Sequence, residues 1–237
     1  MKDKILCFIP ARKNSKGITN KNLIIINGKP LIYYTLKHAI SLKKKLNLHI
    51  HLSTDNKEIL SYAKKNFDIT SDYERPKEIS GDNSKMITTA MHSINWYKSK
   101  KIFFTDLLLL QPTNPVRKVN ELIKAMDVFK KKKLSSLMSV NKVREHPSEI
   151  IKINKKQWSY LENPPKNSYG RQSFKNNFFF IDGNIYIAKI KFLEKYHKFV
   201  VKNKTYPYLI DRTWPIDIDH NDDKLIAEIF LKKYNLV

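Results

Sequence analysis

Ile5-Leu6-Cys7-Phe8-Ile9, closed by Pro10 and followed by Ala11-Arg12-Lys13-Asn14-Ser15-Lys16-Gly17-Ile18-Thr19-Asn20-Lys21-Asn22, is the stretch on which the fold turns. The five apolar residues do not alternate with polar ones. That is the pattern of a strand buried on both faces, as in a parallel sheet covered by helices. Pro10 stops the run. The polar residues after it form a loop with four cations, and with an Asn and a Gly able to take a positive φ. Such a loop suits a polyphosphate. It is neither a G-x-x-x-x-G-K-[ST] loop nor a G-x-G-x-x-G loop, and its composition also fits a plain basic surface loop.

Working outward, helix and strand patterns alternate. Gly28-Lys29-Pro30 precedes a helical spacing over residues 31–42, with Pro30 in the first turn. Residues 48–52 alternate as a strand. Ser53-Thr54-Asp55 offers caps for a helix carrying Ile59, Leu60 and Ala63. Residues 84–97 read as helix, 102–110 as a buried strand, 119–129 as helix and 135–140 as strand. This order predicts an α/β, doubly wound, mostly parallel sheet with right-handed crossovers. Regularity then lapses. Residues 141–177 hold Pro147, Pro164 and Pro165 and one strand-like piece, 157–161, as expected of a small inserted dimerisation or lid subdomain. It resumes with strands at 178–187 and 206–210, a helix near 191–196, and a last helix over 222–234. The expected domains are therefore 1–140 with 178–237, and the insert 141–177.

The 237 residues are 41% hydrophobic, enough for a core. The single cysteine, Cys7, excludes a disulfide framework and a cysteine zinc site; it reads as a small core residue. No apolar run approaches the roughly 20 residues that a bilayer requires, and the N-terminus lacks a signal-peptide pattern. A cytoplasmic protein with no membrane partner is the expectation. The formal charge is +23, carried by 39 Lys against 6 Arg. Arg is the better fork for phosphates and base edges, and no aromatics interleave with it. The Lys runs near helix ends suit the helix dipole and read as solvated surface, so no nucleic-acid partner is expected.

The order of short motifs is more specific than their composition. Ile9-Pro10-Ala11-Arg12, Ser15-Lys16-Gly17-Ile18 and Lys21-Asn22 open the series. Gly28-Lys29-Pro30-Leu31, Ser53-Thr54-Asp55 and Arg75-Pro76 with Asp82 follow. Leu110-Gln111-Pro112-Thr113-Asn114-Pro115-Val116-Arg117, Arg171-Gln172, Asp182-Gly183-Asn184-Ile185-Tyr186-Ile187 and Ile216-Asp217-Ile218-Asp219 complete it. The series resembles the acylneuraminate cytidylyltransferases, the CMP-sialic acid synthetases and their relatives for other nine-carbon acids, over essentially the whole chain. Asn14 stands where that family usually has Gly, and Asp182 where it has Asn. Phe178-Phe179-Phe180 replaces a segment that usually contains Pro.

The resemblance implies cytidylyl transfer from CTP to a nonulosonic acid, with release of pyrophosphate, in a homodimer using Mg²⁺. It assigns Ala11, Arg12, Lys16, Lys21, Asn22, Arg75, Ser84 and Gln111 to CTP, with Arg12, Lys21 and Asp217 as the catalytic group. The acid sugar falls to Gln111, Lys142, Arg144, Arg171, Gln172, Asp182 and Tyr186; its carboxylate calls for a cation. Asp217 and Asp219 alternate with isoleucines, so on a strand both carboxylates face one side and suit Mg²⁺. By residue type alone they would sooner cap the helix starting near Asn221; the resemblance favours metal. The rival activity is 3-deoxy-manno-octulosonate activation. That family's S-x-R-x-P-G-K loop differs from Ser15-Lys16-Gly17-Ile18.

Overall fold

The computed structural model describes residues 4–13, 17–164, 178–210 and 216–237. Ten strands and six α-helices are described: β1 Ile5–Pro10, β2 Ile25–Ile26, β3 Lys29–Pro30, α1 Leu31–Lys43, β4 Leu48–Ser53, α2 Lys57–Phe67, α3 Met86–Ser99, β5 Asp106–Leu109, α4 Val119–Lys131, β6 Ser136–Lys142, β7 Ile151–Asn154, β8 Gln157–Tyr160, β9 Phe179–Lys189, α5 Ile190–Tyr196, β10 Tyr206–Leu209 and α6 Asn221–Lys233.

Six strands form the central sheet in the order β10-β6-β9-β5-β1-β4. β1 lies parallel to β4 and β5, and β10 parallel to β6. β9 runs antiparallel between β5 and β6. The mostly parallel α/β sheet expected from the sequence is therefore present, with one reversed strand at its centre. Every residue of β1 is buried, because helices cover both faces. One core gathers Ile5, Cys7 and Ile9 with α1 and α4; Leu6 and Phe8 point the other way, toward α3 and α5. Burial pushes the Cys7 thiol up to about 12, which fits a core residue and not a nucleophile.

Three local readings are corrected. β5 starts at Asp106, four residues later than the buried run beginning at Ile102 suggested, because the preceding residues cross the sheet end: Thr105 N donates to Lys4 O and Ile190 N to Thr105 O. The cap of α2 is Asn56, whose Oδ1 accepts from Glu58 N at 2.8 Å. Thr54 Oγ1 accepts from Asn56 N, and Asp55 Oδ1 from Lys13 N, so Asp55 holds the first loop and not the helix. Residues 216–219 form no strand. They run extended across the strand ends with Ile218 N bonded to Thr113 O.

β7 and β8 make a separate hairpin whose eight residues are all exposed. Its register pairs Ile151 with Tyr160 and Ile153 with Trp158. These side chains share one face, and Lys152, Ser159, Asn154 and Gln157 occupy the other. Phe179, Phe180 and Ile181, at the start of β9, are also exposed.

A candidate active site at the strand ends

Ligands in open α/β sheets bind beyond the C-terminal ends of the strands. Here that end carries a cleft of about 330 Å³, within the size range of ligand pockets. The loop after β1 builds one wall. Asn20 takes a left-handed backbone (φ 51°), which Asn tolerates. Leu23 N donates to Asn20 O at 2.7 Å, and Asn22 Nδ2 donates to Arg12 O at 2.9 Å. The loop is thus folded back onto the end of β1, with Arg12, Gly17, Lys21 and Asn22 lining the cleft.

Lys21 is only 7% exposed. Its ammonium donates to Ile218 O and to Asp219 Oδ1, each at 2.8 Å. A buried cation needs such partners, and these fasten the 216–219 segment to the first loop. Gly17 makes a second attachment: a Cβ there would lie 2.5 Å from Asp219 O. Glycine is required by this backbone approach.

The opposite wall comes from residues 75–89. Arg75 is buried and its guanidinium donates to Ile79 O and Thr89 Oγ1, shaping the turn that presents Ser84. Arg12 reaches across the cleft to Asp82 at 2.6 Å. The floor is the turn after β5, where Gln111, Pro112 and Thr113 line the cleft. Arg117, buried beneath it, donates to Gln111 O, Asn184 O and Thr35 Oγ1 and holds that turn against β9 and α1. Gln111 Nε2 in turn donates to Gly183 O at 3.4 Å.

Asp217 and Asp219 both line the cleft while Ile216 and Ile218 are buried, so the alternation holds without a strand. Neither carboxylate caps α6; its N-cap is His220, whose N–H donates to Asp223 Oδ2 in the first turn. Asp217 is exposed by surface area, yet the cleft walls around it keep part of the bulk water from its carboxyl. Desolvation there raises its carboxyl above the usual range, Asp219 adds to the effect, and the Thr113 hydrogen bond with Lys21 and Arg117 opposes it. Two close carboxylates, one resisting ionisation, are a donor set that a divalent cation would stabilise. Mg²⁺ fits these residues.

Of the residues expected at the site, Arg12, Lys21, Asn22, Arg75, Ser84, Gln111, Asp217 and Asp219 converge on this cleft. Ala11 is buried behind it, its N–H donating to Ser53 O. Asp182 is buried too, accepting from Ser139 Oγ, Asn141 Nδ2 and the Asn184 N–H; it shapes the Gly183 turn and does not line the cleft. Tyr186 packs beside Phe199, and burial raises its hydroxyl. Lys142 ends β6 and Arg144 follows it, and neither lines the cleft; Arg144 sits 3.6 Å from Glu145. Lys16, Arg171 and Gln172 fall outside the described residues. Gly17, Asp82, Met86, Thr89 and Thr113 line the cleft without having been assigned a role in it. Asp82 and Thr113 belong to the quoted motifs, so the signal was present; Met86 and Thr89 had none beyond helical spacing.

Known proteins agree with this architecture. CMP-N,N'-diacetyllegionaminic acid synthase of Legionella pneumophila is 30% identical over 226 residues, 95% of each chain. An N-acylneuraminate cytidylyltransferase of Streptococcus agalactiae is 27% identical over 221 residues, 93% of this chain and 51% of its own; the chain thus spans about half the length of that relative. The solved CMP:2-keto-3-deoxy-manno-octonic acid synthetase complexed with CTP superposes with a TM-score of 0.67 over 99% of this chain and all of its own, at 15% identity, a likeness of fold. Residues 6–200 match the family described as Cytidylyltransferase, so this chain belongs to the cytidylyltransferase family.

Proposed function

We propose that the chain transfers the cytidylyl group of CTP to a nine-carbon nonulosonic acid of sialic, legionaminic or pseudaminic type. The observation that carries this is the convergence of Arg12, Lys21, Arg75, Asp217 and Asp219 on one cleft, in a chain whose full-length relatives include a legionaminic acid synthase. In the reaction the anomeric hydroxyl oxygen bonds to the α-phosphorus. The bond from that phosphorus to the bridging oxygen breaks, pyrophosphate leaves, and the hydroxyl proton passes to solvent.

Charge develops on the phosphoryl oxygens and the leaving group, so fixed cations contribute most. Arg12 gives up Asp82 for the triphosphate. Lys21 fixes the acidic segment and places positive charge beneath the phosphates. Asn22, Ser84 and Arg75 surround the nucleotide, and Gln111, tied to Gly183, stands at the acceptor side. Asp217 and Asp219 would hold Mg²⁺, which when bound neutralises phosphate charge.

The exposed hairpin face supports a homodimer. Ile153 and Trp158 are 72% and 59% exposed, and an isolated two-stranded hairpin is marginal in water. Burying this face against a second copy is worth about 25 cal/mol per Å². Among the described residues no helix is long and apolar enough to cross a membrane.

The test is pyrophosphate release from CTP with a panel of purified acids. Turnover with a nonulosonic acid supports the reading. Turnover only with 3-deoxy-manno-octulosonate supports the rival, whose sole advantage is the similar fold of its solved synthetase.

A further inference from the structure

Fifteen of the 39 lysines gather at one end of the fold. β1, β4, β5, β6 and β10 run in one direction, so their first residues share the sheet end opposite the cleft, and the reversed β9 finishes there. The segments at that end are tied side by side. Ile5 N donates to Asn47 O, Thr105 N to Lys4 O and Lys189 N to Ser135 O; Ser136 Oγ donates to Phe199 O. Residues 43–47, 98–105, 130–135, 189–191 and 197–205 make up this end. Together they hold 15 lysines and no Asp or Glu. Lys98 pairs with Glu194; the other 14 are exposed.

Helix dipoles account for part of this, since α1, α3 and α4 all end here and cations suit their last turns. They do not account for Lys189, Lys191, Lys202 or Lys204, nor for how few acids stand against them, Glu194 beside Lys98 and Asp106 beside Thr105. Several ammonium groups are seated on rings: Lys100 over Trp96 at 4.2 Å, Lys132 over Tyr206 at 5.3 Å, Lys204 over Tyr196 at 5.8 Å. Such contacts fix the charge at the rim. Phe103, between Lys101 and Thr105, is 64% exposed at this same end.

The six strands span about 24 Å at their usual spacing of roughly 4.8 Å, so the charge forms a broad plate. Nucleic-acid surfaces favour a charged groove with Arg and stacked aromatics, and none of these five segments contains Arg. A planar field of phosphates meets a plate of lysines better, and an exposed Phe amid cations suits the headgroup boundary. We propose that this face docks the chain on a bilayer rich in anionic lipid, with the cleft turned away from the membrane. The sequence reads the same lysines as dispersed surface because it does not show which helix ends meet.

The experiment is sedimentation of the full chain with vesicles of phosphatidylcholine containing one third phosphatidylglycerol, against phosphatidylcholine alone. Binding is expected only with the anionic vesicles, with release in 1 M salt, where screening shortens to about 3 Å. Lys44→Gln, Lys100→Gln and Lys131→Gln combined should weaken partition about a hundredfold, at about fivefold per lysine. Lys57→Gln, Lys64→Gln and Lys65→Gln on α2 remove equal charge and should change it less than twofold. Thermal midpoints within about 2 °C of wild type show that both variants fold, independently of any activity. The proposal fails if wild type does not partition, if both triple variants lose binding alike, or if duplex DNA at equal phosphate concentration strips the chain from the vesicles, which would make the partner nucleic acid.

Discussion

The Nζ of Lys21 lies 2.8 Å from Asp219 Oδ1, joining the loop after the first strand to the segment before the last helix, 198 residues away in sequence. The same ammonium holds Ile218 O. Lys21 therefore places the acidic segment as well as facing the cleft. Lys21→Ala should lower turnover about a hundredfold or more, the scale of losing one transition-state donor. Lys21→Arg should recover little, because a fork does not match one carbonyl and one carboxylate at a point. Steady-state rates on folded variants check this; near-wild-type turnover in Lys21→Ala would remove the assignment.

Asp217 gives a pH prediction. Its folded pKa is raised, so the folded state holds that proton more tightly than the unfolded chain does. The sign follows: ionised Asp217 costs stability, and this cost grows as pH rises through its folded pKa. Asp217→Asn should raise the thermal midpoint at neutral pH while abolishing metal-dependent turnover. EDTA should silence the wild type and Mg²⁺ restore it. A variant that loses stability and keeps full activity would place the ligands elsewhere.

His51 titrates in the opposite sense. It is buried among Phe8, Tyr73, Trp96 and Tyr97, with its Nδ1 3.1 Å from the Tyr97 hydroxyl. Burial lowers its pKa to about 3. The neutral ring stabilises the fold fully above its unfolded pKa of 6.5, and the contribution falls as pH drops from there toward 3. Between pH 7 and pH 5 the loss from this group is about 2 kcal/mol. His51→Leu should flatten that part of the urea-stability profile, since Tyr97 keeps its contact with His49 Nε2 at 2.8 Å. An unchanged pH slope would rule His51 out as its source.

Gly17→Ala tests the backbone contact with Asp219. The added Cβ would meet that carbonyl at 2.5 Å, and backbone cannot swing aside as a side-chain tip does. The expected result is a folded protein with turnover reduced at least tenfold through the displaced acidic segment. Unimpaired kinetics would show that the two segments separate freely.

The hairpin gives an assembly prediction. Trp158→Asp together with Ile153→Asp puts charge on the apolar face that pairs these two residues. Light scattering should show a dimer for the wild type at micromolar concentration and a monomer for the variant. A wild-type monomer refutes the dimer.

Much of this was legible in the sequence. The buried run at residues 5–9 and the helical spacings fixed the sheet's inner strand and its covering helices, since burial on two faces leaves no alternation. The direction of β9 was not legible: a hydrophobic strand carries no mark of polarity, and here the pairing with β5 and β6 decides it. Asp217 and Asp219 were correctly placed on one side, but the strand inferred from them was wrong, because an extended segment crossing strand ends alternates without a ladder. Asp182 shows the limit of motif reading. The family resemblance marked it for substrate, whereas Ser139 and Asn141 draw its carboxylate inward. Arg117 lay in a quoted motif, and only the fold reveals it as the support under Gln111.

The most direct measurement follows the α-phosphorus of labelled CTP in a single turnover with a nonulosonic acid and Mg²⁺. The label is expected to pass to a CMP-linked acid, with one pyrophosphate per label transferred, and Lys21→Ala to slow the transfer about a hundredfold or more. Label that stays in CTP with every nonulosonic acid, or that ends as free CMP, would contradict it.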